Sequence, residues 1–125
     1  MPRFLTAEWL DALDAAARQA AVPVGVCVTI QQIVTDETEG DVRYHLILDD
    51  GRLTVRAGEA ATADVTLVQS REVAAALSRG ELNAQQALEA GRLKLRGDIG
   101  QLARHGKALT AVEDVFAAVR AATTY

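Results

Sequence analysis

The stretch that decides the fold lies at residues 42–56 and reads VRYHLILDDGRLTVR. Apolar and polar side chains alternate on both sides of its centre, which is the periodicity of strands with one buried face. Asp50 and Gly51 stand between the two runs. This pair is typical of a type I′ turn, because both central residues of that turn need a positive φ angle. We therefore predict an antiparallel hairpin, with one strand at 42–49 and a second that begins at Leu53.

Three further strands are predicted on either side of the hairpin. Residues 24–30 place β-branched side chains at alternate positions, and the pattern changes phase at Ile33, which predicts a bulge or the end of the strand nearby. Short alternating runs at 65–68 and 93–96 predict a fourth and a fifth strand. The order of elements over the first two-thirds of the chain favours a helix followed by an antiparallel meander.

Helical patterns precede and follow these strands. Thr6 is suited to cap a first helix, which should stop before Pro23 because the proline ring disfavours a helical residue ahead of it. Two short helices are predicted at 70–80 and 83–91, since each begins at a capping residue and ends at a glycine. A last helical stretch begins at Asp98 and continues, with one interruption, to the C-terminus. The sequence thus predicts an α+β fold, a five-stranded and mostly antiparallel sheet covered on one face by about five helices.

Length and composition predict a single globular domain over residues 1–125. Of the 125 residues, 50% are hydrophobic and 24% are charged, which excludes a disordered or collagen-like chain. The formal net charge of −4 argues against nucleic acid as a partner, because that binding depends on basic side chains. A single cysteine excludes an internal disulfide and a zinc site made of cysteines. Acidic residues interrupt the N-terminal region and no apolar run is long enough to span a bilayer, so we expect a cytoplasmic protein without stable membrane insertion.

Three segments follow one another in the second half of the chain with a characteristic spacing. They are ADVTL at residues 63–67, GELNAQQA at 80–87 and GRLKLRGD at 91–98. An aspartate-containing strand, a G-x-L-x-x-x-x-A helix start and a G-x-L-x-x-x-G strand in this order resemble the sterol carrier protein 2 (SCP-2) family. The hairpin lies at the expected distance upstream, and the resemblance extends over roughly residues 25–120.

The resemblance implies both an architecture and a role. It implies an SCP-2-like domain, with a five-stranded sheet, helices on one face and a hydrophobic tunnel between the two layers. The role it implies is non-enzymatic: binding, and moving, a sterol, a fatty acid, a fatty acyl-CoA or a similar apolar ligand without a cofactor. The chain departs from the family at residues 87–90, which read ALEA where members often carry aromatic or methionine side chains. This change predicts either a larger cavity or a backbone closed up around small residues.

Apolar positions on the predicted helices and strands are the candidates for the lining of such a cavity. A lipid site needs a concave and mostly apolar lining, and each methylene it buries contributes about 0.8 kcal/mol. The same stripe of apolar residues also describes a solid core, and the pattern leaves both interpretations open. The candidate lining residues are Val28, Ile30, Leu46, Leu67, Val73, Leu77, Leu88, Leu102, Leu109, Val112 and Phe116.

A basic stripe on the fifth strand is the candidate headgroup site. Arg92, Lys94 and Arg96 occupy alternate positions and therefore share one face of the strand. Together they are suited to attract a carboxylate, a phosphate or a CoA headgroup. The alternative is a solvated face whose charges discourage pairing with other strands.

Two other classes of function stay open beside the lipid carrier. One is a small enzyme or accessory domain that holds an apolar substrate in the same cavity, with His45 or Asp64 as the acid–base group. The other is a homodimeric interaction domain whose cavity has collapsed. The acidic turn at residues 36–41 lacks the spacing of an EF-hand, so we interpret it as a solvated turn and predict no metal site.

Overall fold

The computed structural model describes residues 2–98, 100, 104 and 106–125. The described residues form four helices and five strands, which confirms the α+β class with one helix fewer than about five. Of the predicted helical stretch that begins at Asp98, the part from Gly106 to Arg120 is helical, and residues 99, 101–103 and 105 lie outside the described residues. In chain order the elements are α1 (Ala7–Ala17), β1 (Cys27–Thr35), β2 (Val42–Asp49), β3 (Arg52–Ala57), β4 (Val65–Ser70), α2 (Arg71–Arg79), α3 (Ala84–Glu89), β5 (Leu93–Gly97) and α4 (Gly106–Arg120).

The strands form one mixed sheet in the order β3-β2-β1-β4-β5. Three of the neighbouring pairs are antiparallel, as predicted, and the pair of β1 and β4 is parallel. The expected meander is therefore wrong at its last step, because β4 lies beside β1 rather than beside β3. After β3 the chain crosses the sheet, so that β4 pairs with the second edge of β1. Strand periodicity does not predict this crossing, because it depends on residues that are distant in the sequence.

The hairpin at the centre of the sequence forms as predicted. Asp50 and Gly51 have φ angles of 47° and 92°, and Asp49 pairs with Arg52 on either side of them. The Asp50 carboxylate also accepts a hydrogen bond from the Gly25 backbone N–H at 2.8 Å, which ties this turn to the segment before β1.

The change of phase at Ile33 predicted a bulge or the end of the strand nearby, and the second alternative is confirmed, since β1 ends at Thr35. β1 begins at Cys27 and pairs with β2 without a break as far as Val34. Val28, Ile30, Gln32 and Val34 occupy alternate positions and are all buried. The strand keeps its phase because Gln32 takes an inward position that the sequence pattern assigns to an apolar side chain.

One half of the sheet is solidly packed under α1. Trp9 and Leu13 of this helix have no exposed surface, and they form one core with Leu46. The Trp9 ring also contacts other aromatic rings edge-on, with centroid distances of 4.9 Å to Phe4 and 5.8 Å to Tyr44. These rings stand at the boundary between the solid half of the sheet and the half described below.

The segment between β3 and β4 crosses the face of the sheet that the helices leave open. The Gln31 side chain donates to the Tyr44 carbonyl at 3.0 Å and accepts from the Ala60 backbone N–H at 2.8 Å. His45 Nδ1 lies 3.0 Å from the Gly58 carbonyl oxygen, in hydrogen-bonding distance. Both side chains are buried as a result, so polar groups on β1 and β2 fix the crossing segment in place.

A cavity between the sheet and helices α2 to α4

The other half of the sheet is separated from its helices by a cavity of about 550 Å³. Its floor is made of strand residues on the helix-facing side. The register places Tyr44 directly opposite Gln32, which in turn lies opposite Leu67, and Gln69 opposite Leu93. All five of these side chains line the cavity, so the floor extends across four strands.

The roof of the cavity is made by α2 and α4. α2 contributes Ala74, Leu77 and Ser78, and α4 contributes six residues. Apart from Val112, the α4 residues recur at intervals of three to four positions, which places them on one face of the helix. Several roof positions carry no large side chain, so the helices cannot fill the space above the strands. The lining residues of α4 are Gly106, Thr110, Val112, Glu113, Phe116 and Arg120.

The cavity opens to solvent between α3 and α4. Its polar floor residues, Gln32 and Gln69, are buried, whereas its exposed residues form a rim. Leu88 of α3 is 38% exposed although it lines the cavity, which is the arrangement of an apolar group at an entrance. The exposed lining residues are Gly80, Asn83, Leu88, Gly106, Thr110 and Glu113.

A basic side chain is fixed at the C-terminal end of α4. Arg120 lines the cavity, and its Nε donates a hydrogen bond to the Ser78 carbonyl at 2.8 Å. The Ser78 hydroxyl lies 2.6 Å from the Tyr125 hydroxyl, and the Arg79 guanidinium stacks over the Tyr125 ring at 4.4 Å. The C-terminal residue thus holds the end of α2 against α4. Arg120 is the cation among the described lining residues.

The floor contains a polar group in otherwise apolar surroundings. Gln32 and Gln69 are each 6% exposed, and Gln69 Nε2 donates to Gln32 Oε1 at 2.7 Å. Tyr44 stands beside them, and burial raises the pKa of its hydroxyl well above the ordinary value, so this group stays neutral. The polar group on the floor is therefore uncharged.

The structure brings together six of the eleven predicted lining residues. Val28, Leu46 and Val73 are buried but do not line the cavity, since the first two belong to the solid core and Val73 packs with Ala87 and Leu93. Leu102 and the side chain of Leu109 lie outside what the structure describes. The six that line the cavity are Ile30, Leu67, Leu77, Leu88, Val112 and Phe116.

The three predicted headgroup residues are exposed and are not among the described lining residues. Lys94 and Arg96 pair with Val68 and Thr66 on β4 and alternate with the inward Leu93, so they lie on the face away from the helices. Arg92 forms an ion pair with Glu72 at 3.9 Å. Their assignment to a headgroup stays a prediction.

The polar lining residues were not among the predicted site residues. Gln32 and Gln69 were missed because a glutamine in a strand is ordinarily placed on the solvent face. The available signal was their position in phase with Ile30 and Leu67, two apolar residues on the same strands. Arg120 was missed because only the apolar stripe of the last helix was followed.

The two residues considered for acid–base chemistry have other partners. His45 is held on the open face by Gly58, and the Asp64 carboxylate accepts from the Thr29 backbone N–H at 2.8 Å. Neither belongs to the described cavity lining, whose carboxylate is Glu113 on the exposed rim. In the described part of the chain no three His, Cys, Asp or Glu side chains converge as metal ligands.

The acidic turn between β1 and β2 is organised by its own backbone. Asp36 accepts hydrogen bonds from the backbone N–H groups of Thr38 and Glu39 at 2.9 and 3.3 Å, and Arg71 lies 3.5 Å away. These bonds and the Arg71 charge hold the pKa of the Asp36 carboxyl below its ordinary value. Within the described ranges, no helix has the length and apolar character needed to cross a membrane.

Fold and cavity together define an α+β domain with an apolar pocket between its sheet and its helices, the architecture of a small-molecule-binding domain. A comparison with protein-family models matches residues 8–110 to the SCP-2 sterol transfer family. The chain belongs to this family, which confirms the resemblance seen in its sequence. A comparison with curated protein sequences gave no match.

Solved structures share the fold. A sterol carrier protein 2 crystal structure aligns with a TM-score of 0.73 at 20% identity, over 91% of this chain and 97% of that chain. Palmitated sterol carrier protein 2 like 2 from Aedes aegypti aligns with a TM-score of 0.65 at 22% identity, over 89% and 94%. The sec-alkylsulfatase Pisa1 from a Pseudomonas species aligns with a TM-score of 0.52 at 25% identity, over 77% of this chain. The chain spans only 13% of that enzyme.

Proposed function

We propose that the protein is a lipid carrier that holds one apolar molecule in the cavity between its sheet and helices α2 to α4, without changing it chemically. The observation that carries this proposal is the cavity itself. Its volume of about 550 Å³ falls within the range of small-molecule sites, roughly 300 to 1,000 Å³. The apolar lining favours a hydrocarbon, since every buried methylene contributes about 0.8 kcal/mol to binding.

Polar groups at the rim fit a ligand whose charged end stays in water. Arg120 lies at the end of the roof helix, where its guanidinium is available to a carboxylate or phosphate. Glu113 lies two turns earlier on the same helix and disfavours an anion at that part of the rim. An anionic lipid is therefore expected to enter tail first, with its head near Arg120.

The residues of the cavity support transport rather than catalysis. Its described lining has neither a histidine nor a cysteine, and its carboxylate lies on the exposed rim. The Ser78 hydroxyl is already engaged with Tyr125, so it is not positioned beside a base that would activate it. The lining thus offers binding groups without a nucleophile and base in contact.

The proposal is tested by native mass spectrometry on protein purified without detergent. We expect an adduct of a few hundred daltons, its loss on extraction with organic solvent, and its return when fatty acids or other lipids are added. A mass that stays unchanged after incubation with fatty acids, acyl-CoA and sterols would contradict the carrier function. Light scattering on the same sample then tests the homodimer, which predicts a mass that rises with concentration.

Leu77→Arg should weaken fatty acid binding while the protein stays folded. Leu77 lines the cavity and is only partly buried, so an arginine there can place its charge at the entrance while its stem fills the cavity. We expect fatty acid affinity to fall by about tenfold or more, because the arginine stem occupies cavity space that the acyl chain needs. Titration of the fluorescence of Trp9, which contacts the cavity residues Tyr44 and Phe116, measures this loss.

Ala61→Arg is the matched control for Leu77→Arg. It adds the same charge at an exposed position of the crossing segment, on the opposite face of the sheet. This variant should keep the affinity of the original protein. If a folded Leu77→Arg protein, with an unchanged unfolding midpoint, bound fatty acid as tightly as this control, the ligand would lie elsewhere.

The likeness to part of an alkylsulfatase favours a second candidate function. A domain of this kind in a larger enzyme would hold the alkyl chain of a substrate while another domain acts on its polar end. The two functions are separated by adding a sec-alkyl sulfate ester to the purified protein. Release of sulfate from the ester by this chain alone would contradict the non-enzymatic carrier, and binding without release would support it.

A further inference from the structure

The two edge strands of the sheet differ in how their outer backbone groups are covered. At the β3 edge, α1 packs on the strand, and the Asp14 carboxylate accepts a hydrogen bond from the outward Val55 backbone N–H at 2.9 Å. At the β5 edge, no described residue bonds to the outward backbone groups of Leu93 and Leu95. The described part of the chain thus covers one edge of the sheet and leaves the other open.

The register of β5 shows which of its backbone groups point outward. The Asp98 N–H donates to the Asp64 carbonyl at 2.9 Å, and the same pairing continues with Arg96 opposite Thr66 and Lys94 opposite Val68. In an antiparallel ladder, hydrogen-bonded pairs alternate with pairs that make no such bonds. The N–H and C=O groups of Leu93 and Leu95 therefore face away from β4.

Two cations lie on this open edge without a counterion. Lys94 and Arg96 are exposed, and neither forms an ion pair with a described residue. Their neighbours on β4, Val68 and Thr66, are neutral. Like charges directly opposite each other destabilise a strand pair, whereas opposite charges stabilise it. The two side chains therefore select which strands can pair with β5.

A second copy of this chain fits the edge poorly. In an antiparallel pair of two β5 strands centred on Leu95, Lys94 of each copy lies opposite Arg96 of the other. Such a dimer would place like charges together at two points. Charges of this kind protect an edge strand against pairing with itself. They do not protect it against a strand of opposite charge.

We propose that the β5 edge binds an extended segment of a partner protein in which acidic residues alternate with apolar residues. The segment adds to the sheet as a further strand, antiparallel to β5, and bonds to the outward backbone groups of Leu93 and Leu95. This surface lies outside the cavity, so the inference does not depend on the proposed carrier function.

The alternation of the segment follows from the geometry of the edge. Its residues opposite Lys94 and Arg96 occupy positions without hydrogen bonds, where facing side chains come closest, so a carboxylate there pairs with each cation. Its intervening residues point to the helix side of the sheet, where Leu88 of α3 is 38% exposed. Apolar side chains suit that side.

The test uses two short peptides with blocked ends, one of alternating valine and glutamate and one of alternating valine and lysine. Each is titrated into the ¹⁵N-labelled full chain at low salt, and NMR follows the backbone amides. We expect the glutamate peptide to bind about tenfold more tightly than the lysine peptide, with the largest shifts at Leu93 and Leu95.

Reversal of the charges on β5 gives the first matched comparison. Lys94→Glu combined with Arg96→Glu should invert the preference, so that the lysine peptide binds about tenfold more tightly. Arg52→Glu combined with Arg56→Glu makes the same change on the same face of the sheet, at the β3 edge, and should leave the preference unchanged. All four side chains are exposed, so both proteins should stay folded.

Methylated peptides separate strand addition from simple attraction between charges. In the proposed pairing the valine N–H groups face β5 and the glutamate N–H groups face solvent. Methylation of the valine nitrogens should therefore weaken binding by about tenfold or more, whereas methylation of the glutamate nitrogens should not. Equal affinities of the two methylated peptides would overturn strand addition.

Two other results would also contradict the inference. A glutamate peptide that does not bind at millimolar concentration would mean that the charges of β5 prevent pairing with strands of either sign. Binding with shifts confined to residues away from β5 would place the peptide elsewhere. In both cases the carrier function stands, because its cavity lies on the other side of Leu93.

Discussion

Two halves of one sheet differ in what lies above them. Over β3 and β2, α1 packs directly on the strands, and Trp9, Leu13 and Leu46 have no exposed surface. Over β4 and β5, a cavity of about 550 Å³ lies between the strands and the helices α2 and α4, and α2 touches the sheet beside it through Val73, which packs with Leu93. Both halves have leucine or valine at inward strand positions, so the strands alone do not explain the difference.

The helices explain it through the size of their inward side chains. α1 places an indole and a leucine on the sheet, whereas the roof of the cavity includes Ala74, Gly106 and Thr110. Small residues leave a space only when the backbones are held apart. The aromatic rings of Phe4, Trp9 and Tyr44 provide such a support at the boundary of the two halves. The apolar pattern of a strand thus specifies which face of the sheet is turned toward the helices. The side chains of the facing helix determine whether the space above that face is filled.

The largest expected effect comes from shortening a leucine in the solid half. Leu46→Ala removes a fully buried side chain from β2 and should lower the free energy of unfolding by about 2 to 5 kcal/mol, because a new cavity is left behind. Leu67→Ala makes the same change on β4, where the side chain already faces open space. Its loss should be about 1 to 2 kcal/mol, the transfer term alone. Urea denaturation of the ligand-free proteins measures both.

Equal losses of unfolding free energy in Leu46→Ala and Leu67→Ala would contradict the difference in packing between the two halves of the sheet. They would show that the space above β4 is closed in solution and that Leu67 is packed as tightly as Leu46. Adding a fatty acid should make the losses of unfolding free energy in the two variants more similar. The bound ligand fills the space above β4 and contacts Leu67 but not Leu46, so the loss at Leu67 should increase.

A smaller effect is expected on the opposite face of the solid half, where the crossing segment packs. Gln31→Met keeps the size of the side chain and removes its hydrogen bonds with four backbone groups, the carbonyls of Gln32, Tyr44 and Gly58 and the N–H of Ala60. The loss of these hydrogen bonds should lower the free energy of unfolding by about 1 to 3 kcal/mol. Ile33→Met, on the same strand and face, is the matched control and should change it far less. A Gln31→Met protein as stable as this control would mean that the crossing segment is not held by Gln31.

Local features of the fold were predictable from the sequence. The hairpin follows from Asp50 and Gly51, because a type I′ turn and its flanking strands are specified by adjacent residues. The helix caps at Thr6, Ser70 and Asn83 are all present as hydrogen bonds from the side chain to the backbone, since they too depend on a few neighbouring residues. The fold as a whole was predicted from the order and spacing of the motifs that resemble the family.

Features that depend on distant partners were not predictable in the same way. The parallel pairing of β4 with β1 requires the chain to cross the sheet, and no local pattern records it. Gln31 and Gln32 are both buried, one under the crossing segment and the other on the cavity floor, so their polarity did not reveal that the strand stays regular as far as Val34. The candidate lining was found only in part, because Leu46 in the solid core and Leu67 beside the cavity have the same sequence signature.

The smallest expected effect is a gain in stability on the cavity side. Gly106→Ala adds a methyl group to α4 at a position where, among the described residues, nothing beyond its chain neighbours and its own helix backbone lies within 4 Å, and alanine also restricts the unfolded chain. The free energy of unfolding should therefore rise by about 0.4 to 1 kcal/mol. Gly97→Ala is the same chemical change at the end of β5, where the new Cβ would clash with the Asp64 carbonyl and where φ is +103°. That control should be clearly destabilised. If thermal unfolding showed Gly106→Ala to be destabilised as well, the roof would be packed against something at this point, and the open entrance between α3 and α4 would be wrong.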